Sequence, residues 1–139
     1  MLTIEMVPKS NWFINLRSEL SRGDWDKLRK SCYKKANYKC EICNGKGEKH
    51  PVECHEIWEY DDKALVQKLI GLIALCPDCH QVKHMGLAEI NGKRAEATRH
   101  LQKVNNWTKD EAEHYVEAAF VQYHRRSCYE WKTDISLHI

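Results

Sequence analysis

The sequence predicts an α+β fold, a small ββα unit stapled by a metal and flanked by N- and C-terminal helices. Three observations lead there. Two Cys-x-x-Cys pairs, Cys40 with Cys43 and Cys76 with Cys79, bracket the middle of the chain. Between them, residues 52–60 alternate in polarity and residues 67–75 hold a short apolar run (69–75) rich in branched side chains, both of strand length. Outside the pairs, apolar residues recur at the three-to-four spacing of helices packed on one face.

Taken in order, residues 1–21 carry no clear period, and Trp12, Phe13, Ile14 and Leu16 are expected to dock on the core. Asp24 is a suitable N-cap, and Trp25, Leu28, Cys32 and Ala36 recur at helical spacing, so a helix is expected to end near Ala36. Most of its lysines and arginines then fall on the opposite face. Asn37 and the first cysteine pair follow as a turn. Residues 44–51 read as a loop whose glycines can take the positive φ angles of a metal knuckle. In the first strand Val52, Cys54, Trp58 and Tyr60 share one face, and Glu53, His55, Ile57 and Glu59 the other. The second strand is apolar from Leu69 to Leu75 and suits burial.

Pro77 fits the first turn of a helix that starts at the second cysteine pair and carries His80 and His84. Residues 93–104 read as a further helix. Thr108 and Glu111 form a capping-box pattern that opens another, with Ala112, Tyr115, Val116, Ala119, Phe120 and Tyr123 as its apolar stripe. In the tail, Ile135, Leu137 and Ile139 alternate as a short strand that could pair with a partner chain. One domain, 1–139, is expected, with a 37–86 core between a basic helical extension (1–36) and a helical C-terminal extension (93–131).

With 139 residues, 42% of them apolar and five tryptophans, the chain has the means to fold as one domain. A net charge of +2 does not by itself announce a nucleic-acid partner. Its distribution says more. Residues 22–39 hold seven basic residues against Asp24 and Asp26, whereas residues 53–62 hold Glu53, Glu56, Glu59, Asp61 and Asp62. A basic face beside an acidic pocket suits a metal-dependent enzyme acting on a polyanion, although charge alone fits two solvated faces equally well. No secretory leader or membrane span is evident, so the seven cysteines read as reduced cytoplasmic thiols rather than a disulfide framework. Cys32 and Cys128 read as packing residues.

Each Cys-x-x-Cys half offers two sulfurs from one tight turn, and Zn²⁺ takes four in a tetrahedron. Cys40, Cys43, Cys76 and Cys79 are therefore expected to hold a structural zinc. His80 and His84, four residues apart, should point the same way from one helix, while the first strand offers Cys54, His55 and Glu56 opposite them. His50, His100, His114, His124 and His138 read as ordinary surface or satisfied histidines.

Several segments carry a family resemblance: Cys40-x-x-Cys43, Cys54-His55-Glu56, Gly71-Leu72, Leu75-Cys76-x-x-Cys79-His80 and Lys83-His84. In them, over roughly residues 37–86, the chain resembles the HNH endonuclease family, whose ββα-metal unit is often framed by two cysteine pairs. The resemblance implies hydrolysis of DNA phosphodiester bonds with a second divalent ion (Mg²⁺, Mn²⁺, Ni²⁺ or Zn²⁺) besides the zinc. It implies His55 as general base and His80 and His84 as ligands of the catalytic ion. An alternative register makes His55 a ligand and Glu56 the base. Two positions depart from the family: Gly71 stands where it has asparagine, and Cys54 where it has Asp or His. Lys27, Arg29, Lys30, Lys34, Lys35 and Lys83 are expected to meet the phosphates of double-stranded DNA. A homodimer through the C-terminal helices or tail is a further expectation. The competing reading is an inactive zinc module of the same fold, kept as a nucleic-acid or protein adaptor.

Overall fold

The structure is a computed structural model that describes residues 1–136. It is α+β, as expected. Strands β1 (Glu53–Asp61) and β2 (Val66–Leu75) form an antiparallel hairpin, and β3 (Lys132–Asp134) adds in parallel to β2, giving the order β1-β2-β3. Among the described residues there are six α-helices: α1 (Leu16–Glu19), α2 (Arg22–Lys35), α3 (Pro77–Lys83), α4 (Met85–Ile90), α5 (Arg94–Asn105) and α6 (Lys109–Arg126), of which α2 and α3 pack on the sheet. Among the described residues, no helix is long and apolar enough to cross a membrane.

The hairpin closes through Asp61, whose Oδ1 accepts from the backbone N–H groups of Lys63 (3.0 Å) and Ala64 (2.9 Å). Its pairing is interrupted once. Ile57 lies opposite Gly71 but Trp58 lies opposite Leu69, so Ile70 is an extra residue on β2 and stands 49% exposed. The apolar run is thus not uniformly buried: the bulge turns Ile70 outward, while Leu69, Ala74 and Leu75 face the interior.

The core gathers Leu75, Val82, Met85, Leu101, Ala112 and Val116 around Cys40, Cys76 and Cys79. Helix α3, packed on α5, places the second cysteine pair inside this core. The predicted start of α6 is present in full. The Thr108 side chain accepts from the Glu111 N–H at 3.1 Å, and the Glu111 carboxylate accepts from the Thr108 N–H at 3.0 Å. Helix α2 begins earlier than Asp24 suggests, because Ser21 is the cap and accepts from the Asp24 N–H at 3.1 Å. None of its residues is fully buried, so Trp25, Leu28, Cys32 and Ala36 form a half-covered stripe.

The N-terminus differs most from expectation. Of the four apolar residues proposed as docked, only Leu16 is buried; Trp12 is 45% and Phe13 85% exposed. The docking residue is Leu2, held from both sides by Asn105, which accepts from the Leu2 N–H and donates to its carbonyl, each at 2.8 Å. The segment then runs past Tyr115, whose hydroxyl accepts from the Ile4 N–H at 3.1 Å, to α3, where the Glu5 N–H donates to the Lys83 carbonyl at 3.1 Å. At the other end, Trp131 anchors β3 by donating from Nε1 to the Arg126 carbonyl at 2.8 Å. Of the expected tail strand through Ile135, Leu137 and Ile139, Leu137 and Ile139 lie outside the described residues, and Ile135 follows β3, which ends at Asp134.

Candidate metal centres

The four cysteines come together as their spacing predicts. Their sulfurs lie within 4.8 Å of one another, and Cys43 Sγ is 3.6 Å from Cys76 Sγ. Tetrahedral Zn–S bonds of about 2.3 Å put the sulfurs about 3.8 Å apart, whereas a disulfide needs about 2.0 Å. Both knuckles also aim backbone N–H groups at sulfur: Cys43 at Cys40 (3.5 Å), Gly45 at Cys43 (3.4 Å) and Cys79 at Cys76 (3.4 Å). Such donors stabilise thiolates. A hydrogen bond from Cys79 pushes the Cys40 thiol down to about 4, while burial and neighbouring sulfur raise Cys76 to about 11. A divalent cation lets all four ionise together, and the donor set fits Zn²⁺.

A second group stands beside it. His55 projects from β1 and His80 from α3, while His84 caps the C-terminal end of that helix. Their ligand atoms also lie within 4.8 Å of one another. His84 is not inside the helix as its spacing suggests: α3 ends at Lys83, and His84 turns the chain into α4. Its ring still meets that of His80, with the two Nε2 atoms 3.1 Å apart. Nitrogen ligands about 2.0–2.1 Å from a tetrahedral ion lie about 3.3 Å apart, so the spacing suits a metal. His80 Nδ1 is 3.5 Å from Glu53 Oε1, which leaves Nε2 as the nitrogen for an ion.

Burial disfavours the protonated form of His84 and His55. His84 is pushed down to about 3 by burial and by the neighbouring His80 and His55, and burial likewise lowers His55. Since an unfolded histidine titrates near 6.5, the unfolded chain binds protons between 6.5 and about 3 that native His84 refuses. This contribution to stability is full above 6.5 and is lost as pH falls. The urea midpoint is therefore expected to decrease as pH is lowered from about 6.5 to about 5, and His84→Gln to flatten that slope. Equal slopes in the two proteins would contradict the assignment.

Around His55 stand two groups from outside the hairpin. Glu5 Oε2 is 2.8 Å from His55 Nε2, and Glu5 Oε1 accepts from Lys83 Nζ at 2.9 Å. Lys83 Nζ also donates to Thr3 Oγ1 at 2.7 Å. Burial would raise the Glu5 carboxyl, but the His55 hydrogen bond and the Lys83 charge outweigh it and hold Glu5 at about 2. Lys83 is consequently 4% exposed and is withdrawn from the surface where it was expected to meet phosphates.

Glu56 also lies elsewhere than the base position it was offered for. Strand alternation turns it away from His55, and its carboxylate accepts from the Leu16 N–H at 3.0 Å, at the start of α1. Cys54 faces Cys32 of α2, and that neighbouring thiol together with burial raises the Cys54 thiol well above its ordinary value. Gly71 lies opposite Ile57, not beside the histidines. On α2, Lys27, Lys30, Lys34 and Lys35 are exposed, whereas Arg29 is drawn to Asp26 at 2.9 Å.

The triad borders a groove of about 1090 Å³ whose walls include Trp12, Phe13, Trp25, Trp58, Phe120 and Tyr123. Two residues of the centres escape sequence reasoning. One is Glu5; the other is His100, whose Nε2 lies 3.2 Å from Cys79 Sγ and supports the zinc-type cluster from α5. Neither has a spacing signal, because each arrives through tertiary packing. No family model matches this chain, and no curated protein or solved structure matches it.

Proposed function

We propose that the protein is a metal-dependent nuclease that hydrolyses DNA phosphodiester bonds, with the four cysteines holding a structural zinc. The observation that carries this reading is the convergence of His55, His80 and His84, from a hairpin and the helix it is stapled to, beside an open groove. A divalent cation bound there neutralises a non-bridging phosphate oxygen and the leaving oxygen. Of the two registers open at the level of sequence, the mutual spacing of the three imidazoles favours His55 as a ligand. The aromatic walls offer faces on which unstacked bases can lie. The exposed lysines of α2 supply sequence-independent contacts to the phosphate backbone.

A second reading, a zinc module that binds nucleic acid without turnover, is favoured by the position of Glu56. In the register that makes His55 a ligand, Glu56 is the base, yet its carboxylate is tied to Leu16. Cleavage assays separate the two. With Mg²⁺, Mn²⁺ or Ni²⁺ the protein is expected to relax supercoiled plasmid or cut single-stranded DNA, and His55→Ala to stop it with zinc content unchanged. Salt-dependent DNA binding with no turnover under any of these ions would establish the binding module instead.

A further inference from the structure

The histidine group has a neighbour that no hairpin or helix of the ββα unit supplies. We infer that Glu5, delivered by the N-terminal segment, is the positioning residue of the second metal centre, fixing the His55 ring so that its other nitrogen is presented to the cation. This rests on the reading of His55, His80 and His84 as a cation site, and not on turnover.

Three observations converge. Glu5 Oε2 is 2.8 Å from His55 Nε2, so the ionised carboxylate takes the hydrogen bond and the ring proton sits on Nε2. Nδ1 then keeps the lone pair. Next, the carboxylate is itself immobilised: Lys83 Nζ holds Oε1 at 2.9 Å, and the Glu5 N–H donates to the Lys83 carbonyl at 3.1 Å. Backbone and side chain are thus pinned to the helix that carries His80. Finally, Glu5 is not in the set of mutually close ligand atoms, which comprises His55, His80 and His84. It acts through His55 and not on the ion.

Glu5 reaches His55 from fifty residues upstream in the chain. Glu53 does the corresponding work for His80, at 3.5 Å from Nδ1. Each of the two rings therefore has one nitrogen engaged by a carboxylate and the other not, the arrangement that sets ring orientation and ligand basicity in histidine metal sites.

The test reads cation binding and the ring tautomer. Zinc-loaded protein is titrated with Ni²⁺ by calorimetry, and imidazole ¹⁵N spectra report which His55 nitrogen carries the proton. Glu5→Gln is expected to weaken Ni²⁺ binding about 10- to 100-fold with zinc content unchanged. Because loss of Glu5 strands a buried ammonium, Glu5→Gln combined with Lys83→Met guards against simple unfolding. This pair is expected to keep a cooperative transition, lose the same affinity and lose the uniform Nε2–H signature. Ni²⁺ affinity within twofold of wild type in the folded double variant, with His55 still protonated on Nε2, would overturn the inference. A protein that behaves as expected in both readouts yet cleaves no DNA would leave the inference standing and remove the nuclease reading alone.

Discussion

Replacing Cys40 and Cys76 together by serine is expected to strip the zinc and abolish cooperative unfolding. Both residues are at the centre of the core, with Cys40 fully buried and Cys76 5% exposed. Each belongs to a different knuckle, so the pair of substitutions leaves one sulfur per knuckle, Cys43 and Cys79, too few to close a tetrahedron. Structural zinc contributes about 10–16 kcal/mol of apparent binding free energy in small domains. A whole domain is stable by only about 5–15 kcal/mol, so loss of the ion exceeds the margin. Two hydroxyls would also remain in an apolar cluster beside Val82 and Met85. Metal analysis together with a urea titration checks the outcome. A variant free of zinc that melts like the parent would show that the cysteine cluster is not a staple.

The second large effect belongs to the histidines. His80→Ala or His84→Ala should leave one zinc per chain and remove the second cation, and with it cleavage. Each substitution deletes a third of the nitrogen ligands, and the remaining pair lacks the geometry to hold a divalent ion at ordinary concentrations. Metal-ion stabilisation of the phosphate charge is worth several kcal/mol, which corresponds to about two to four orders of magnitude in rate. The readouts are plasmid relaxation and metal content measured on the same preparation. Loss of both ions in either variant would mean that the two centres are one cooperative unit.

The sequence announces features that are local and leaves unmarked those that depend on distant packing. The cysteine knuckles, the hairpin and the Thr108 cap are legible because their signals span only a few residues: a two-residue spacer, an alternation, a reciprocal side chain–backbone pair. The β2 bulge is invisible because Ile70 sits in a run where every neighbour is apolar or small. Lys83 is misread for a physical reason. A lysine belongs in water unless a buried anion awaits it, and the anion, Glu5, lies in a segment with no periodicity. Glu56 is misassigned because adjacency in the chain to His55 means opposition in space on a strand. His100 joins the cysteine cluster only because α5 packs across α3.

The docking of residues 2–5 onto Asn105, Tyr115 and Lys83 has a consequence for how the molecule is made. Leu2 and Ile4 reach their partners only after residues 105 and 115 have been synthesised and have cleared the exit tunnel. Until then Glu5 is held at His55 by Lys83 alone, without the anchors of Leu2 and Ile4 on either side of Thr3. Vectorial synthesis thereby separates the two centres in time, the cysteine pairs being complete by residue 79 and the N-terminal clasp on the histidines only after residue 115.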